Sequence, residues 1–549
     1  MEKDMTKGRP LPVILKFMLP LIIGNIFQQL YNMADTIIVG RYVGADALAA
    51  VGSTGTIMFL TVGFSQGITA GFSVLTAQRF GAKDAEGVKI SVANGILLSL
   101  IFTVIISSLS LLGMRPLLKL MNTPDNIFQD AYTYIMIISA GIIATIFYNL
   151  FSSYLRAVGN SKIPLVFLVF SAALNVILDL VLIINFKMGV AGAALATIIS
   201  QGVSAILCLV YIYIRMPSLA PNRRHWKLHG QESRNQLAMG IPMALQFAIT
   251  ASGTMVMQSA INLFGSVAVA SFTAASKVQN LVTQGMMAMG QTMATYSGQN
   301  FGKGDIKRIR QGVKAALEAS VVYALAAAVL VCILLKPALG LFFTGDVDMN
   351  SMLPWAKTYI YMSVIFYIPL SSIFVFRNTM QGCGYGFLPM MGGVSELVAR
   401  LVVAMISMAV GSYALACFCD PAAWVTAAVF TGVSYLFVMK DIRRKYEKPE
   451  TAASEKSSFR MRMAILSAFR KRLKTNQILK GDVSITSDIS FYGYRPALSS
   501  NYFTEAYLQS ITFNCLMKIY IPMEVNVFPH IQLFYPLQQF FHFRFELVL

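Results

Sequence analysis

Apolar residues in this chain come in long runs, and the polar ones gather in short loops rich in Gly, Pro and charge. A membrane-spanning helix needs about 20 mostly apolar residues. Twelve runs meet that length: 11–39, 47–78, 90–112, 127–155, 163–184, 189–214, 237–264, 268–299, 312–335, 354–377, 387–410 and 418–438. The first run is too long for the apolar part of a signal peptide and carries Asn25, Gln28, Gln29 and Asn32, so it reads as a retained helix. The pattern predicts an all-α integral membrane protein, multi-pass in the plasma (inner) membrane.

Composition agrees. Of 549 residues, 56% are hydrophobic and 13% charged, with a mean hydropathy of +0.62. A soluble domain carries about 25% charged residues, and a disordered chain lacks this apolar content. The net charge of +19 sits in loops rather than on a continuous basic surface, which argues against nucleic acid. Alternate loops, counted with both flanks of the twelve runs, hold 25 Lys and Arg; the remaining loops hold 6. That asymmetry predicts a cytoplasmic N-terminus and a cytoplasmic end of span twelve.

The chain repeats itself. Gln78-Arg-Phe80-Gly81-Ala-Lys-Asp84 follows span two, and Gln299-Asn-Phe301-Gly302-Lys-Gly-Asp305 follows span eight, at an offset of 221. Pro20 and Pro242 match at 222, and Gly159 and Pro164 match Gly384 and Pro389 at 225. Six spans are duplicated. Six is even, so both halves enter from the same side, which predicts two lobes related by a parallel pseudo-two-fold axis along the membrane normal. The expected domains are an N-lobe over 1–215, a linker loop over 216–236, a C-lobe over 237–446 and a tail over 447–549.

Chemistry-bearing residues are few. No GxxxxGK[ST] loop is present, which disfavours ATP-driven work by this chain. His225, His229, His530 and His542 all fall outside the spans, against a buried histidine catalyst. The six cysteines have no zinc or redox spacing, and no cofactor is expected. Three acids lie well inside the spans: Asp35, Asp179 and Glu396. A charged group at mid-membrane costs at least about 2.5–3.5 kcal/mol on insertion scales, so each needs a reason. Asp35 and Asp179 fall in the outer half of spans one and five. Asn175 shares a face with Asp179, and Thr197 of span six lies at the same depth. Two carboxylates, an amide and a hydroxyl make an oxygen-rich cation site or share a proton; the alternative is interhelical hydrogen-bond glue. Pro20 permits a bend in span one, or a static kink, about 22 Å from Asp35. Glu396 and Arg400 are spaced to pair on one face, as a structural ion pair or in coupling. Gln246 stands in span seven, which has no acid, and Lys277 lies about three turns into span eight.

These residues resemble the multidrug and toxic compound extrusion (MATE) family. The likeness rests on Gln28-Gln-Leu-Tyr-Asn-Met-Ala-Asp35-Thr-Ile-Ile-Val-Gly40, the paired Gln78 and Gln299 loops, Leu155-Arg-Ala-Val-Gly159-Asn-Ser-Lys-Ile-Pro164 and Asn175-Val-Ile-Leu-Asp179. It covers about residues 10–446. It implies a secondary antiporter that exports amphipathic, often cationic drugs in exchange for H⁺ or Na⁺, with lipid and small molecules as its partners. The resemblance carries Asp35, Asn175, Asp179 and Thr197 as an N-lobe cation site, where Na⁺ would be the only metal. In the resembled branch, bending of the helix that carries Pro20 has been proposed to accompany protonation. The missing acid in span seven departs from branches with a C-lobe site and favours the DinF-like arrangement. Asn149 belongs to a family-like stretch near the inner end of span four.

Two other functions compete. A lipid-linked oligosaccharide flippase would want a strongly cationic cavity, and the sequence offers only Lys277 and Arg400 deep in the spans. An intramembrane enzyme would want a nucleophile–base pair, or would have to use Asp35 and Asp179 as paired catalytic acids. After 450 the composition turns basic and aromatic without family likeness, so a functional extension and a misread coding end are both open. Intact mass of the native protein decides: a mass matching a chain that ends near 450 discards the tail.

Overall fold

The computed structural model describes residues 4–121, 123–340 and 349–447, and every element in them is helical. The tail expected after residue 447 lies outside the described residues. The first half comprises α1 (Pro10–Tyr42), α2 (Ala45–Ser53), α3 (Gly55–Gly81), α4 (Ala85–Leu120), α5 (Asp125–Ala140), α6 (Ile142–Ala157), α7 (Lys162–Leu180) and α8 (Gly189–Arg215). The second comprises α9 (Gly230–Ile261), α10 (Gly265–Lys303), α11 (Ile306–Gly340), α12 (Met349–Val364), α13 (Tyr367–Gly382), α14 (Phe387–Val410) and α15 (Tyr413–Glu447). Twelve spans result, because α5–α6 and α12–α13 are each one span, bent by 48° and 51°. The apolar stretch 230–303 is two spans rather than one of 74 residues, which would measure about 110 Å. It breaks at the 3₁₀ turn Asn262–Phe264 and at Gly265, whose φ of +85° is open to glycine.

The halves meet along α1, α3, α9 and α10. Gly63, Gly67 and Gly71 present one flat face of α3 to α9. A methyl group on Gly67 would sit 2.5 Å from the Ala244 Cα, and one on Gly71 2.4 Å from the Gly240 Cα. Small residues at four-residue spacing let helices touch backbone to backbone where lipid supplies no hydrophobic drive.

Each half lends the start of its first helix to the other. Ile14, Phe17 and Leu21 of α1 pack with Met289, Tyr296 and Ile309 of the second half. Beyond Pro20 the helix also meets its own half, with Gly24 against Leu165 and Leu168 of α7, while Asn25 still donates to the Gln284 carbonyl of the second half at 3.4 Å. In α9, Gln236 donates to the Ser91 carbonyl at 2.8 Å and accepts from Asn94 at 2.9 Å, both in α4. Beyond Pro242, Gly253 faces α14. Both prolines lie within stretches that pack on the opposite half: Leu21 follows Pro20, and Ala244 and Phe247 follow Pro242 against α3. Pro20 cannot donate to the Lys16 carbonyl, and the Ser161 hydroxyl donates to the neighbouring Phe17 carbonyl at 2.9 Å.

The duplicated loops have a shared physical content. Gln78 Nε2 donates to the Gly382 carbonyl and Gln299 Nε2 to the Ala157 carbonyl, both at 2.8 Å. Each glutamine thus reaches the opposite half, at positions the 225 offset relates. Gly81 and Gly302 pass against the backbones of Gln299 and Gln78, where no Cβ fits. Asp84 and Asp305 cap the next helix by accepting from the N–H of Gly87 (2.8 Å) and Arg308 (3.0 Å). The N-terminal segment joins this seal. The Met5 N–H donates to Gln299 Oε1 at 2.8 Å, and Arg308 donates to the carbonyls of Met5, Lys7 and Gly8.

The loop between the halves is pinned by Glu86. It accepts from Arg224 at 2.7 Å and pairs with His225 Nε2 at 2.9 Å. The Asn222 N–H donates to His225 Nδ1, so Nε2 carries the proton. The His225 hydrogen bond, then the Arg224 charge, hold the Glu86 carboxyl below its usual range.

Gly71→Ala should destabilise the fold by about 1–3 kcal/mol through overpacking. Gly113→Ala in α4, with nothing within 4 Å of its added methyl, should be neutral or stabilising. Thermal unfolding of the two purified variants checks both.

Candidate functional site

The structure brings Asp35, Asn175, Asp179 and Thr197 together. Asn175 and Asp179 are fully buried one turn apart on α7, and Thr197 faces them from α8. In the orientation that satisfies both its ends, the Asn175 amide donates to Asp179 Oδ2 at 2.9 Å and accepts from the Thr197 N–H at 3.1 Å. Asp35 of α1 lies within hydrogen-bonding reach of Asp179. One oxygen of each carboxyl is buried without a partner. Two facing carboxylates are at ease only with a shared proton or a cation between them. Next to Asp179 the backbone departs from the α-helix into a π-turn, Val181–Asn185. Such turns recur at functional sites because they re-aim neighbouring side chains.

Sequence reasoning missed two tyrosines here. Tyr31 lies one turn before Asp35 and its hydroxyl meets Thr197 Oγ1 at 3.5 Å. Tyr134, buried on α5, lies within electrostatic reach of both carboxyls. The four-residue spacing to Asp35 could have found Tyr31; nothing local marks Tyr134.

The second half holds a different cluster. Glu396 pairs with Arg400 at 3.7 Å, one turn away on α14, and with Arg377 of α13 at 3.2 Å. Arg400 Nε donates to Asp420 of α15 at 3.0 Å, and the Tyr359 hydroxyl of α12 donates to Asp420 at 3.4 Å. All five side chains are buried. Two sequence expectations are corrected. Arg377 is a membrane-buried partner of Glu396 rather than a loop charge, which leaves the loop asymmetry at 24 to 6. Asp420 joins Asp179 and Glu396 as a buried acid within the spans, because α15 begins at Tyr413, earlier than the apolar run implied; Asp35 is half-buried.

The remaining candidates lie apart from the carboxyl pair. Asn149 of α6 donates to the Thr145 carbonyl in its own helix. Gln246 of α9 accepts from Gln381 of α13 at 3.0 Å. Lys277 is exposed on α10.

A family model described as MatE matches residues 20–181 and 242–406, one stretch in each half. The chain belongs to the MatE family. This MatE chain is 32% identical over 308 residues to "Probable multidrug resistance protein YpnP" of Bacillus subtilis (strain 168), covering 56% of this chain and 68% of that protein. It is 25% identical over 414 residues to "FAD transporter" of Shewanella oneidensis (strain MR-1), covering 73% of this chain and 88% of the relative. Its fold matches a solved structure titled "Outward-facing conformation of a multidrug resistance MATE family transporter of the MOP superfamily", with a TM-score of 0.73 at 22% identity over 80% of this chain and 98% of the other. The relatives named here are transport or resistance proteins, and this MatE chain is a multi-pass membrane protein.

Along the seam helices of this MatE chain, Asn32, Gln66, Lys277 and Asn280 are exposed within apolar spans.

Glu396→Gln should destabilise the protein by about 3–5 kcal/mol, because it leaves Arg377 and Arg400 with one buried acid between them. Glu318→Gln, which removes an exposed partner 3.9 Å from Lys314, should change stability by under about 1 kcal/mol. Thermal unfolding in detergent compares the two.

Proposed function

We propose that this protein is a secondary active antiporter of the plasma membrane, with its N-terminus and the end of α15 in the cytoplasm. It exports amphipathic, often cationic compounds in exchange for H⁺ or Na⁺ by alternating access. The observation that carries the reading is the pair of half-buried Asp35 and fully buried Asp179, each with a buried oxygen that has no protein donor. A proton or Na⁺ satisfies both at once. Asn175, Thr197 and Tyr31 would hold the pair in place.

Alternating access has support in the packing. The cross-bound Gln78 and Gln299 seal the basic face in this conformation. Opening that face requires both bonds to part while the two halves rock on the α3–α9 contact, with Pro20 and Pro242 in the stretches of α1 and α9 that pack on the opposite half. A coupling ion drives the exchange only if it binds one orientation better than the other. One charge crossing about 100 mV supplies about 2.3 kcal/mol, enough for a roughly fifty-fold gradient at 1.4 kcal/mol per decade. The flippase reading loses ground because Arg377 and Arg400 are neutralised by Glu396 and Asp420.

Proteoliposomes loaded with a fluorescent lipophilic cation test the proposal under an imposed pH or Na⁺ gradient. Wild type should show gradient-driven flux. Asp35→Asn and Asp179→Asn should each lose it, by at least about tenfold, while unfolding at the wild-type temperature. Wild-type flux in either variant moves the site elsewhere. The same assay with FAD as cargo checks the anionic substrate that the Shewanella relative's name raises.

A further inference from the structure

We propose that the guanidinium of Arg400 is a resident cation, filling in the second half the place where the first half takes its coupling ion. The second half therefore has no exchangeable cation of its own. The inference rests on the reading of Asp35 and Asp179 as the coupling site, and on the internal repeat.

The offset of 225 that carries Pro164 to Pro389 also carries Asn175 to Arg400. It carries Tyr134 to Tyr359 as well. Each tyrosine is buried in the first segment of a bent span, and Tyr359 donates to Asp420 of its own half. Counted from the starts of α8 and α15, Thr197 corresponds to within one residue of Asp420. The offset of 222 that carries Pro20 to Pro242 takes Tyr31 and Asp35 to Gly253 and Met257. Thus the second half lacks the first-helix carboxylate, has Ala404 where the 225 offset carries Asp179, and has a glycine in place of the tyrosine; its acids, Glu396 and Asp420, stand at other positions. The guanidinium uses that room: a methyl on Gly253 would sit 2.8 Å from Arg400 Nη1.

The charges fit the same picture. Glu396 and Asp420 balance Arg377 and Arg400, so the cluster is neutral as it stands. Nη1 of Arg400 makes no hydrogen bond and lies 3.7 Å from Glu396 Oε2. It is held as a charge among oxygens, without the close paired contacts of a fitted guanidinium–carboxylate bridge. Removing it leaves one uncompensated negative charge among the oxygens of Glu396, Asp420 and Tyr359, in a space the size of a small monovalent cation or a free guanidinium.

The test uses the purified full chain in detergent, with guanidinium chloride at millimolar concentration and, separately, NaCl against choline chloride as probes. Arg400→Ala should unfold at a lower temperature than wild type. Guanidinium should saturably restore most of that loss while leaving wild type unmoved. The neutral double variant Arg400→Ala with Asp420→Asn should not respond. A folded Arg400→Ala that responds no more than wild type overturns the proposal. Arg400→Lys and Arg400→Met form the second arm, for the case where Arg400→Ala does not fold. The lysine variant, which keeps a cation, should unfold near wild type and the methionine variant well below it; equal stability of the two overturns the proposal. The guanidinium response should persist in an Asp35→Asn background. Loss of the first-half reading would appear instead as unimpaired flux in Asp35→Asn, so the two failures are told apart.

Discussion

At Gly71 the backbone of α3 runs so close to Gly240 of α9 that a single methyl group would stand 2.4 Å from its Cα. The rest of the molecule depends on this approach. Lipid gives two apolar helices no reason to associate, so the halves must hold together by close packing and by hydrogen bonds that have no competing water. The glycine face supplies the packing. At the basic face Gln78 and Gln299 supply the bonds, each reaching a carbonyl of the opposite half. A seam of this kind is narrow and backbone-based, so two rigid halves can pivot on it without unpacking their own cores.

The pivot has built-in hinges. The first parts of α1 and α9 are packed on the opposite half, and a proline sits within that stretch of each helix. A proline there removes one helical hydrogen bond and costs little else, because its neighbours already have other partners. The same helix, α1, carries both Pro20 and Asp35.

The halves solve the problem of buried charge in two ways. The first keeps two neighbouring carboxyls, each with an oxygen unpartnered. The second sets two acids against two arginines and is complete in itself. Duplication gave both halves the same helices, the same bends and a tyrosine at the same place. A change at a handful of positions left one cluster with unpartnered carboxyl oxygens and gave the other its own arginines.

Much of this was legible in the chain. Run lengths alone determined twelve helices, since the bilayer sets one length for every span, and the spacing of Gln, Phe, Gly and Asp in two loops determined the duplication. Depth along a helix is also linear in sequence, so Asp35, Asn175, Asp179 and Thr197 could be placed at one level before their contacts were known. Which side chains meet across helices is a different quantity. Arg377 looked like a loop charge because its span seemed to end there; the bent pair α12–α13 carries it into the membrane to Glu396. Asp420 looked peripheral until α15 was seen to begin two turns before it. Tyr134 had no local mark at all. Rotation of each helix about its axis, the angle at each bend and the register of the glycine seam decide these meetings, and they follow from the packing of all twelve spans together, which no single segment encodes.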